Sequence, residues 1–450
     1  MDIFQNSEKL LLKISKDLSL KPDHFYPLSV AYIWPTKYCP VGCAHCMFAS
    51  PKPRFINQNM ILSEKAINNF IKMSYDAQLS YLVVSGGGEP MLELPTILKL
   101  IKEARFNYFE LITGGYWTSN IHQIKRCLTK IQKAIFFKKA KQKKFSFSLR
   151  ISVDRYHQKI ISPKSIAHLV RIIRSDSMLP DKQRSYPDIK IYFRSLLIND
   201  DTVSKLAKLL GARLSPLKNY IRNIIFDNSS KGLNEITVFY KSMYFVGRAT
   251  NLSAHKIIEF DDYFNSYSDF NDDIRLGRTY LGPMSTGALL KGLNVTVTYN
   301  GKIMPYGGVS NIYGDICKDN YKDFLNKIFH DIISRTLLLK GINYVKKFAE
   351  EVEPKLDKKI KKKNWFASIA DESLSTSEIK LYVCLRLVQE DVIKGKIKVK
   401  NLPNYLIKLI SHKKTSLQTE YYKYINKLKI IKRIYPNEMV QIKIKNTSIY

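Results

Sequence analysis

The sequence predicts an α/β fold built on a mostly parallel sheet. Strand-like and helix-like segments alternate about six times through the first part of the chain, and the connections are long enough for parallel pairing. Hydrophobic residues make up 45% of the 450 residues, which supports a substantial core. A closed barrel of eight strand–helix repeats and an open doubly wound sheet both fit this alternation.

Each element is predicted from its own local pattern. Short apolar or alternating runs indicate strands, and helices carry apolar residues on one face, as Ile67, Phe70 and Ile71 do after the candidate N-cap Ser63. The predicted strands are 28–34, 81–85, 108–113, 145–153, 188–198 and a segment within 235–246. The predicted helices between them are 63–78, 94–104, 121–137, 165–174 and 202–210.

The two ends of the chain predict further helices. Residues 1–20 suit a short amphipathic helix and not a signal peptide. A hairpin turning at Asn300-Gly301 is predicted within 295–306, and a charged connector at 350–363 is predicted between the helical segments 324–349 and 377–394. We therefore divide the chain into an N-terminal helical extension (1–27), a core (28–250), an extension with a hairpin (251–320) and a basic helical appendage (321–450).

The chain is strongly basic. It has 73 Lys plus Arg against 39 Asp plus Glu, a net charge of +34, which permits nucleic acid, an anionic membrane surface or an acidic peptide as partner. The basic stretches lack the aromatic and glycine pattern of an RNA-binding module, so a solvated surface is favoured over nucleic-acid binding. No apolar run is long enough to span a bilayer, and six scattered cysteines with one tight cluster favour a reducing compartment, the cytoplasm.

The tight cluster is the segment Cys39-Pro-Val-Gly-Cys43-Ala-His-Cys46. Three thiolates within eight residues can share one metal centre, and sulfur ligands select iron–sulfur clusters, zinc or Cu(I). The other cysteines, Cys127, Cys317 and Cys384, are distant in sequence. Either His45 completes a small zinc site as the fourth ligand, or the cysteines hold a [4Fe–4S] cluster with one iron left open.

A second motif follows the next predicted strand, Gly86-Gly87-Gly88-Glu89-Pro90. Consecutive glycines let the backbone approach a ligand closely, and Glu89 would place a carboxylate beside that ligand. Alone the motif could be a turn. With the cysteine cluster one strand earlier, it indicates a binding site at the carboxyl ends of the strands.

Together these motifs resemble those of the radical S-adenosylmethionine (SAM) superfamily. The family's C-x3-C-x-(aromatic)-C motif is matched by Cys39, Cys43 and Cys46, with His45 at the aromatic position, and its G-G-E-P motif by 87–90. The resemblance implies a partial (β/α)6 barrel with a wide mouth. It also implies a [4Fe–4S] cluster that cleaves SAM reductively, releasing a 5′-deoxyadenosyl radical that abstracts hydrogen from a substrate.

The resemblance implies further roles for residues at the ends of the strands. Cys39, Cys43 and Cys46 would ligate the cluster and form the catalytic centre. The implied SAM-binding residues are His45, Gly87, Gly88, Glu89, Thr113, Ser152, Asp154, Arg194 and Ser195. Asp154 lies in a Ser-Val-Asp-x-x-His pattern that ends at His157 and recurs in part of the superfamily. It could equally cap a turn. The Arg of Gly247-Arg248-Ala249 is as compatible with a structural role as with ligand binding.

The substrate is not evident from the sequence. A ribosomally made peptide, a small metabolite and an RNA base are candidates, and a non-catalytic scaffold that keeps the cluster is the alternative of a different class. A radical SAM enzyme also needs a one-electron reductant such as flavodoxin or ferredoxin. If the enzyme were an epimerase, Cys317 would be the best-placed lone thiol to return hydrogen, but a buried inert cysteine is the simpler interpretation.

We expect one cluster per chain. The hairpin at 295–306 resembles the start of an auxiliary-cluster extension, yet Tyr306 follows Pro305 where such extensions carry Cys, and Cys317 stands alone. Iron quantitation after anaerobic reconstitution should therefore give about four irons per chain. About eight irons would contradict the prediction.

Overall fold

The fold is taken from a computed structural model that describes residues 3–434, except for 24, 55–56, 198–199, 219, 228–232, 242, 244–245, 253–277, 280–289, 292, 306–313, 341 and 364–367. The predicted residue Tyr306 and much of the predicted extension 251–320 lie outside these residues, as does the end of the appendage. The strands are β1 (Leu28–Ile33), β2 (Tyr81–Val84), β3 (Tyr108–Thr113), β4 (Ser146–Ser152), β5 (Ile189–Leu196), β6 (Arg213–Leu214), β7 (Ile221–Ile225), β8 (Glu235–Lys241), β9 (Arg278–Thr279), β10 (Leu290–Lys291), β11 (Leu293–Val297), β12 (Lys302–Pro305) and β13 (Gly314–Asp315).

Eleven strands form one sheet in the order β13-β12-β11-β1-β2-β3-β4-β5-β8-β7-β6. The central run from β11 through β1 to β5 and β8 is parallel throughout, whereas the pairs at both edges are antiparallel. The sheet therefore does not close on itself. The six predicted core strands are all present in the predicted order, and they form an unclosed, barrel-like α/β sheet.

The helices cover the outer face of this sheet and then form a separate group. They are α1 (Ser7–Asp17), α2 (Glu64–Asp76), α3 (Leu94–Glu103), α4 (Ile121–Lys141), α5 (Arg155–Gln158), α6 (Pro163–Ser177), α7 (Thr202–Leu209), α8 (Tyr321–His330), α9 (Ile332–Lys340), α10 (Ile342–Glu350), α11 (Leu356–Lys363), α12 (Ser368–Ser373), α13 (Ser377–Ile393), α14 (Asn404–Ile410) and α15 (Lys414–Ile434). Ser63 caps α2 as predicted, its hydroxyl accepting a hydrogen bond from the Ala66 N–H at 3.2 Å.

Alternation along the strands separates a helix-covered face from an inner face. Leu111, Leu149 and Phe193 pack with the helices in the main core. Residues one position away, such as Glu110 and Arg150, lie on the opposite face, because successive side chains of a strand point to opposite sides. The inner wall of the open barrel therefore carries buried charge at Glu110 and Arg150.

Three regions differ from the sequence prediction. The antiparallel pair β6–β7 was missed, because its side chains are only partly buried at the sheet edge and show no clear alternation. The predicted charged connector contains α11, whose buried Leu356 and Ile360 are four residues apart on one helix face. The single helical segment 324–349 is divided among α8, α9 and α10, with the first break at Asp331, whose backbone is extended.

The helices at the two ends of the chain share a second hydrophobic core. Phe4 and Ile14 from the N-terminus pack with Tyr382, Leu385 and other apolar residues of α9–α15, and α1 lies directly against α13. The N-terminal extension therefore packs onto the C-terminal appendage. None of the helices that the structure describes is both long and apolar enough to cross a membrane.

This helical group contains a carboxylate that should make stability depend on pH. Burial raises the pKa of Glu390, but hydrogen bonds from Lys394, Tyr344 and Lys347 outweigh that effect and lower it to about 2. Because the pKa in the folded state is depressed, the stabilisation is complete above the ordinary value of 4.5 and is lost as the pH falls towards 2. Wild type should therefore exceed Glu390→Gln in unfolding free energy at pH 6, and the difference should disappear between about pH 4.5 and 2.

The measurement is a series of urea unfolding curves between pH 6 and pH 2. Glu64→Gln is the matched control, since the Glu64 side chain is 81% exposed. A wild-type advantage over Glu390→Gln that persists unchanged to pH 2 would contradict the assignment.

Candidate functional site

The three clustered cysteines lie on one loop that leaves β1. The loop is closed by the Cys39 N–H, which donates to the Pro51 carbonyl at 2.9 Å, and it turns within itself where the Cys46 N–H donates to the Cys43 carbonyl at 3.2 Å. Within it, Gly42 adopts a left-handed backbone with φ +64°, a conformation that favours glycine. This turn lets two backbone N–H groups donate to the Cys39 sulfur.

The loop after β2 touches the cysteine loop backbone to backbone. The Glu89 N–H donates to the Tyr38 carbonyl at 2.7 Å, directly before Cys39. A Cβ added at Gly88 would lie 2.1 Å from the same carbonyl oxygen, so no other residue fits there without moving one of the loops. Ser50 links the loops a second time, because its hydroxyl donates to the Gly87 carbonyl and lies 3.7 Å from the Cys46 sulfur. The two motifs therefore form one structure.

Glu89 is buried at this junction, with 2% of its surface exposed. Its carboxylate accepts hydrogen bonds from the Thr113 hydroxyl at 2.6 Å, the Gly114 N–H at 2.8 Å and the Met91 N–H at 3.1 Å. Burial nevertheless raises the pKa of Glu89 above its ordinary value. Burial and then the Glu89 charge raise the pKa of Cys39 to about 12. The fold thus brings Thr113, a predicted SAM-binding residue, into hydrogen-bond contact with Glu89. It also places Glu89 near Cys39, the first cysteine of the cluster motif.

The turn after β4 supplies a buried Asp–His pair. Asp154 Oδ1 accepts from the backbone N–H groups of Tyr156 and His157 at 3.0 and 3.1 Å, while Oδ2 is 2.8 Å from His157 Nδ1. Burial opposes both charges, but the pKa of Asp154 is lowered by His157, and that of His157 is raised well above its ordinary value by Asp154. Asp154 therefore caps this turn and also lies beside the cysteine loop, while its role in binding SAM stays a prediction.

His45 lies against this pair from the cysteine loop. Its Nε2 is 3.9 Å from Asp154 Oδ2, and its ring centroid lies 5.0 Å from that of His157 and 4.8 Å from that of Tyr156. Burial lowers the pKa of His45 to about 3, so the imidazole is neutral at physiological pH. The Cys43 sulfur and one ring nitrogen each of His45 and His157 lie within 4.8 Å of one another.

Both metal hypotheses can be tested against this donor set. The zinc hypothesis requires His45 as the fourth ligand beside Cys39, Cys43 and Cys46, but the donor group that the structure brings together consists of Cys43, His45 and His157 and leaves out Cys39 and Cys46. A cluster with three cysteine ligands uses all three thiols and leaves His157 to Asp154. The residues present fit a [4Fe–4S] cluster better than a zinc ion.

Arg248 was not selected as a site residue by the sequence analysis, yet it holds the cysteine loop in place. Its backbone N–H donates to the Cys46 carbonyl at 3.0 Å, its Nε to the Cys43 carbonyl at 3.0 Å and its Nη1 to the Ser50 carbonyl at 2.8 Å. The preceding Gly247 has φ +59°, and a Cβ there would lie 2.3 Å from the Met47 carbonyl oxygen. The Gly-Arg-Ala pattern was the available signal, and its arginine makes structural contacts with the cysteine loop.

The remaining predicted residues separate into two groups. Ser152 and Arg194 are register partners at the ends of β4 and β5, so both face the inner wall beside the Asp154 turn. Ser195 is 2% exposed and lies one position along, on the face that Phe193 shares with the main core. Cys317 lies elsewhere, 3.9 Å from Ser63 at the start of α2.

Comparison with known proteins identifies a cluster domain. Residues 30–156 match a family model described as "4Fe-4S single cluster domain", a span that includes the cysteine loop, Glu89, Thr113 and Asp154. No curated protein matches the chain. Among solved structures, the chain is similar to a histidine-tagged anSMEcpe "with bound AdoMet", with 15% identity, a TM-score of 0.39 and coverage of 86% of this chain and 99% of that one. It is also similar to "BtrN in complex with AdoMet and 2-DOIA", with 10% identity, a TM-score of 0.29 and coverage of 70% and 89%.

Replacing Arg248 should weaken retention of the metal centre without changing a ligand. Arg248→Ala removes two side-chain hydrogen bonds to the cysteine loop, and loss of such supporting contacts typically costs 10–100-fold in metal affinity. We expect Arg248→Ala to lose iron at about 10-fold lower chelator concentration than wild type, with Arg248→Lys in between. Arg213→Ala is the control, since Arg213 is 63% exposed on β6, and equal iron loss in all four proteins would refute the role of Arg248.

Proposed function

We propose that this protein is an enzyme that generates a substrate radical inside an open α/β barrel. Its Cys39–Cys46 and Gly87–Pro90 motifs and its 4Fe–4S domain assign it to the radical SAM superfamily. The observation that carries the proposal is the direct contact between the cysteine loop and the Gly87–Glu89 loop. That contact places a buried carboxylate near Cys39, the first of the three clustered thiols. A fourth cysteine is absent from this loop, so one metal position is left for a small ligand.

A [4Fe–4S] cluster and SAM, when bound, supply reductive cleavage of SAM to methionine and a 5′-deoxyadenosyl radical, which takes hydrogen from a substrate C–H bond. Cys39, Cys43 and Cys46 would be the ligands. Cys39 must lose its proton to ligate, and its raised pKa means that loading the site releases that proton. Hydrogen bonds that involve Arg248 and Ser50 hold the cysteine loop in the conformation that would bind the cluster.

The residues at the strand ends are proposed to orient SAM. Glu89 presents an acceptor for the ammonium group, and Gly87 and Gly88 let the backbone approach it. Arg194, with Ser152 beside it, is suited to the carboxylate of the methionine moiety. The neutral ring of His45 offers a flat surface to the adenine, and Asp154, held by His157, a hydrogen-bond acceptor to the ribose.

We propose a ribosomally made peptide as substrate, because the unclosed sheet leaves a wide opening and the chain carries a net charge of +34. A small metabolite or an RNA base is the alternative for the same chemistry. An RNA substrate would bring strongly salt-dependent RNA binding, which a peptide enzyme should not show. A one-electron reductant such as flavodoxin or ferredoxin would be the protein partner, and the six free cysteines suit the reducing cytoplasm.

The proposal predicts SAM cleavage that depends on the cysteine loop. Anaerobically reconstituted protein given SAM and dithionite should form 5′-deoxyadenosine, and Cys46→Ala should form less than about a hundredth as much, because one of three cluster ligands is lost. The measurement is chromatography of the reaction mixture, with Cys127→Ala as the control, because Cys127 lies in α4 and is not one of the three clustered cysteines. A wild type that binds iron but forms no 5′-deoxyadenosine would favour a cluster-bearing scaffold, and zinc without iron would overturn the assignment.

A further inference from the structure

The outer surface of α4 is basic along its whole length. Residues 121–144, which comprise α4 and most of its connection to β4, contain nine Lys or Arg and no Asp or Glu. Lys139 pairs with Asp188, and Lys138 is buried. The other seven cations are exposed, and they are Lys125, Arg126, Lys130, Lys133, Lys141, Lys143 and Lys144. The positive charge of this surface therefore comes from one continuous segment of the chain.

Two aromatic rings project from the same surface near the C-terminal end of α4. Phe136 is 74% exposed and Phe137 is 45% exposed. Both lie outside the buried face of the helix, which Ile131 and Ile135 occupy at helical spacing. Lys141 Nζ lies 4.4 Å from the centroid of the Phe137 ring, so a cation and an exposed ring are direct neighbours. Exposed phenyl rings flanked by lysines are typical of a helix that meets a lipid interface.

A cavity of about 410 Å³ opens beside this end of α4. Its charged lining residues are Lys102, Glu103 and Arg105 from the end of α3, and Lys138 and Lys141 from α4. Side-chain hydrogen bonds fix its walls, since the Tyr75 hydroxyl donates to the Glu103 carbonyl at 3.0 Å and Gln142 Nε2 donates to the Phe106 carbonyl at 2.8 Å. Because Lys141 both lines the cavity and contacts Phe137, the cavity and the exposed rings form one continuous surface.

Lys138 shows that ammonium groups converge inside this cavity. Its Nζ donates to the Ala104 carbonyl and lies 4.7 Å from the centroid of the Phe106 ring. Burial, and then repulsion from Lys141, lower the pKa of Lys138 to about 8. An anion in the cavity would lie beside ammonium and guanidinium groups, which are the usual donors to phosphate, and the Glu103 carboxylate would oppose it.

This end of α4 lies at the edge of the sheet opposite the cysteine loop. β3 and β4 pair in parallel, so α4 between them runs from the carboxyl ends of the strands back to their amino ends. The cysteine loop leaves the carboxyl end of β1, which is parallel to β2 and through it to β3. A partner bound at the C-terminal end of α4 would therefore leave the cysteine loop and the open barrel accessible.

We propose that the C-terminal end of α4 and the adjoining cavity form a docking surface for an anionic phospholipid membrane. Phe136 and Phe137 would enter the boundary between headgroups and acyl chains, the exposed lysines would neutralise lipid charge, and the cavity would receive the phosphate of one headgroup. A phospholipid surface offers both a phosphate for the cavity and an apolar layer for the rings, whereas RNA lacks the apolar layer and an acidic protein lacks the phosphate. This docking is independent of the radical chemistry.

The test measures co-sedimentation of the full-length protein with vesicles of phosphatidylcholine, alone or mixed with phosphatidylglycerol. Wild type should bind the mixed vesicles at least about tenfold more tightly than the neutral ones, because several lysines contribute. The Phe136→Ser/Phe137→Ser double variant should bind the mixed vesicles about tenfold more weakly than wild type, since the rings no longer enter the interface. Lys141→Gln should bind them about fivefold more weakly.

Two matched variants control for loss of an apolar group and of a charge elsewhere. Leu12→Ser controls for the rings, because Leu12 is 73% exposed on α1. Lys400→Gln controls for Lys141→Gln, because Lys400 is exposed between α13 and α14. Both should bind the mixed vesicles like wild type. Melting temperatures of all variants check that each protein is folded.

The proposal is overturned if wild type binds both kinds of vesicle equally or binds neither. It is also overturned if the α4 variants bind the mixed vesicles as tightly as wild type, or if the two control variants weaken binding to the same extent. Glycerol phosphate and an oligouridine RNA, titrated into protein without vesicles, give the remaining outcomes. Binding of either one without vesicle binding would overturn the proposal and assign this surface to a soluble phosphate or to RNA.

Discussion

The site depends on one backbone contact, between the Tyr38 carbonyl and the loop that follows β2. The Glu89 N–H donates to that carbonyl at 2.7 Å, and Gly88 passes so close to it that a Cβ would lie 2.1 Å away. This approach joins the cysteine loop to the segment that carries the Glu89 carboxylate. The parallel pairing of β1 and β2 makes the contact possible, because it brings the carboxyl ends of both strands to the same edge.

The contact requires charges to be buried, and the surrounding residues compensate for them. Glu89 retains its position through three hydrogen bonds from Thr113, Gly114 and Met91. Leaving such a buried acceptor without one partner costs about 1–3 kcal/mol. Asp154 and His157 compensate each other in the same way on the next loop but one. The loops after β2 and β4 therefore hold fixed polar groups beside the cysteine loop.

Much of the fold could be predicted because its signals are local. The apolar runs of β1 to β5 and the periodicity of α2 and α3 each lie within one element, and each was located to within a few residues. The antiparallel pair β6–β7 was missed because its edge strands are held by pairing with β8 and not by a buried apolar face. Helix α11 was missed because two buried side chains in a run of lysines give a weak pattern.

The sequence by itself determined which residues can hold a metal centre, since three closely spaced cysteines and a glycine-rich stretch ending in Glu89 form one local pattern. Only the tertiary structure decided how these parts are held and what surrounds them. Arg248 supports a loop about two hundred residues earlier, and Arg150 on β4 pairs with Glu110 on β3 across the inner wall. The physical reason is that ligand type depends on side-chain identity and short spacing, whereas support and electrostatic balance depend on strand register, which a single sequence does not reveal.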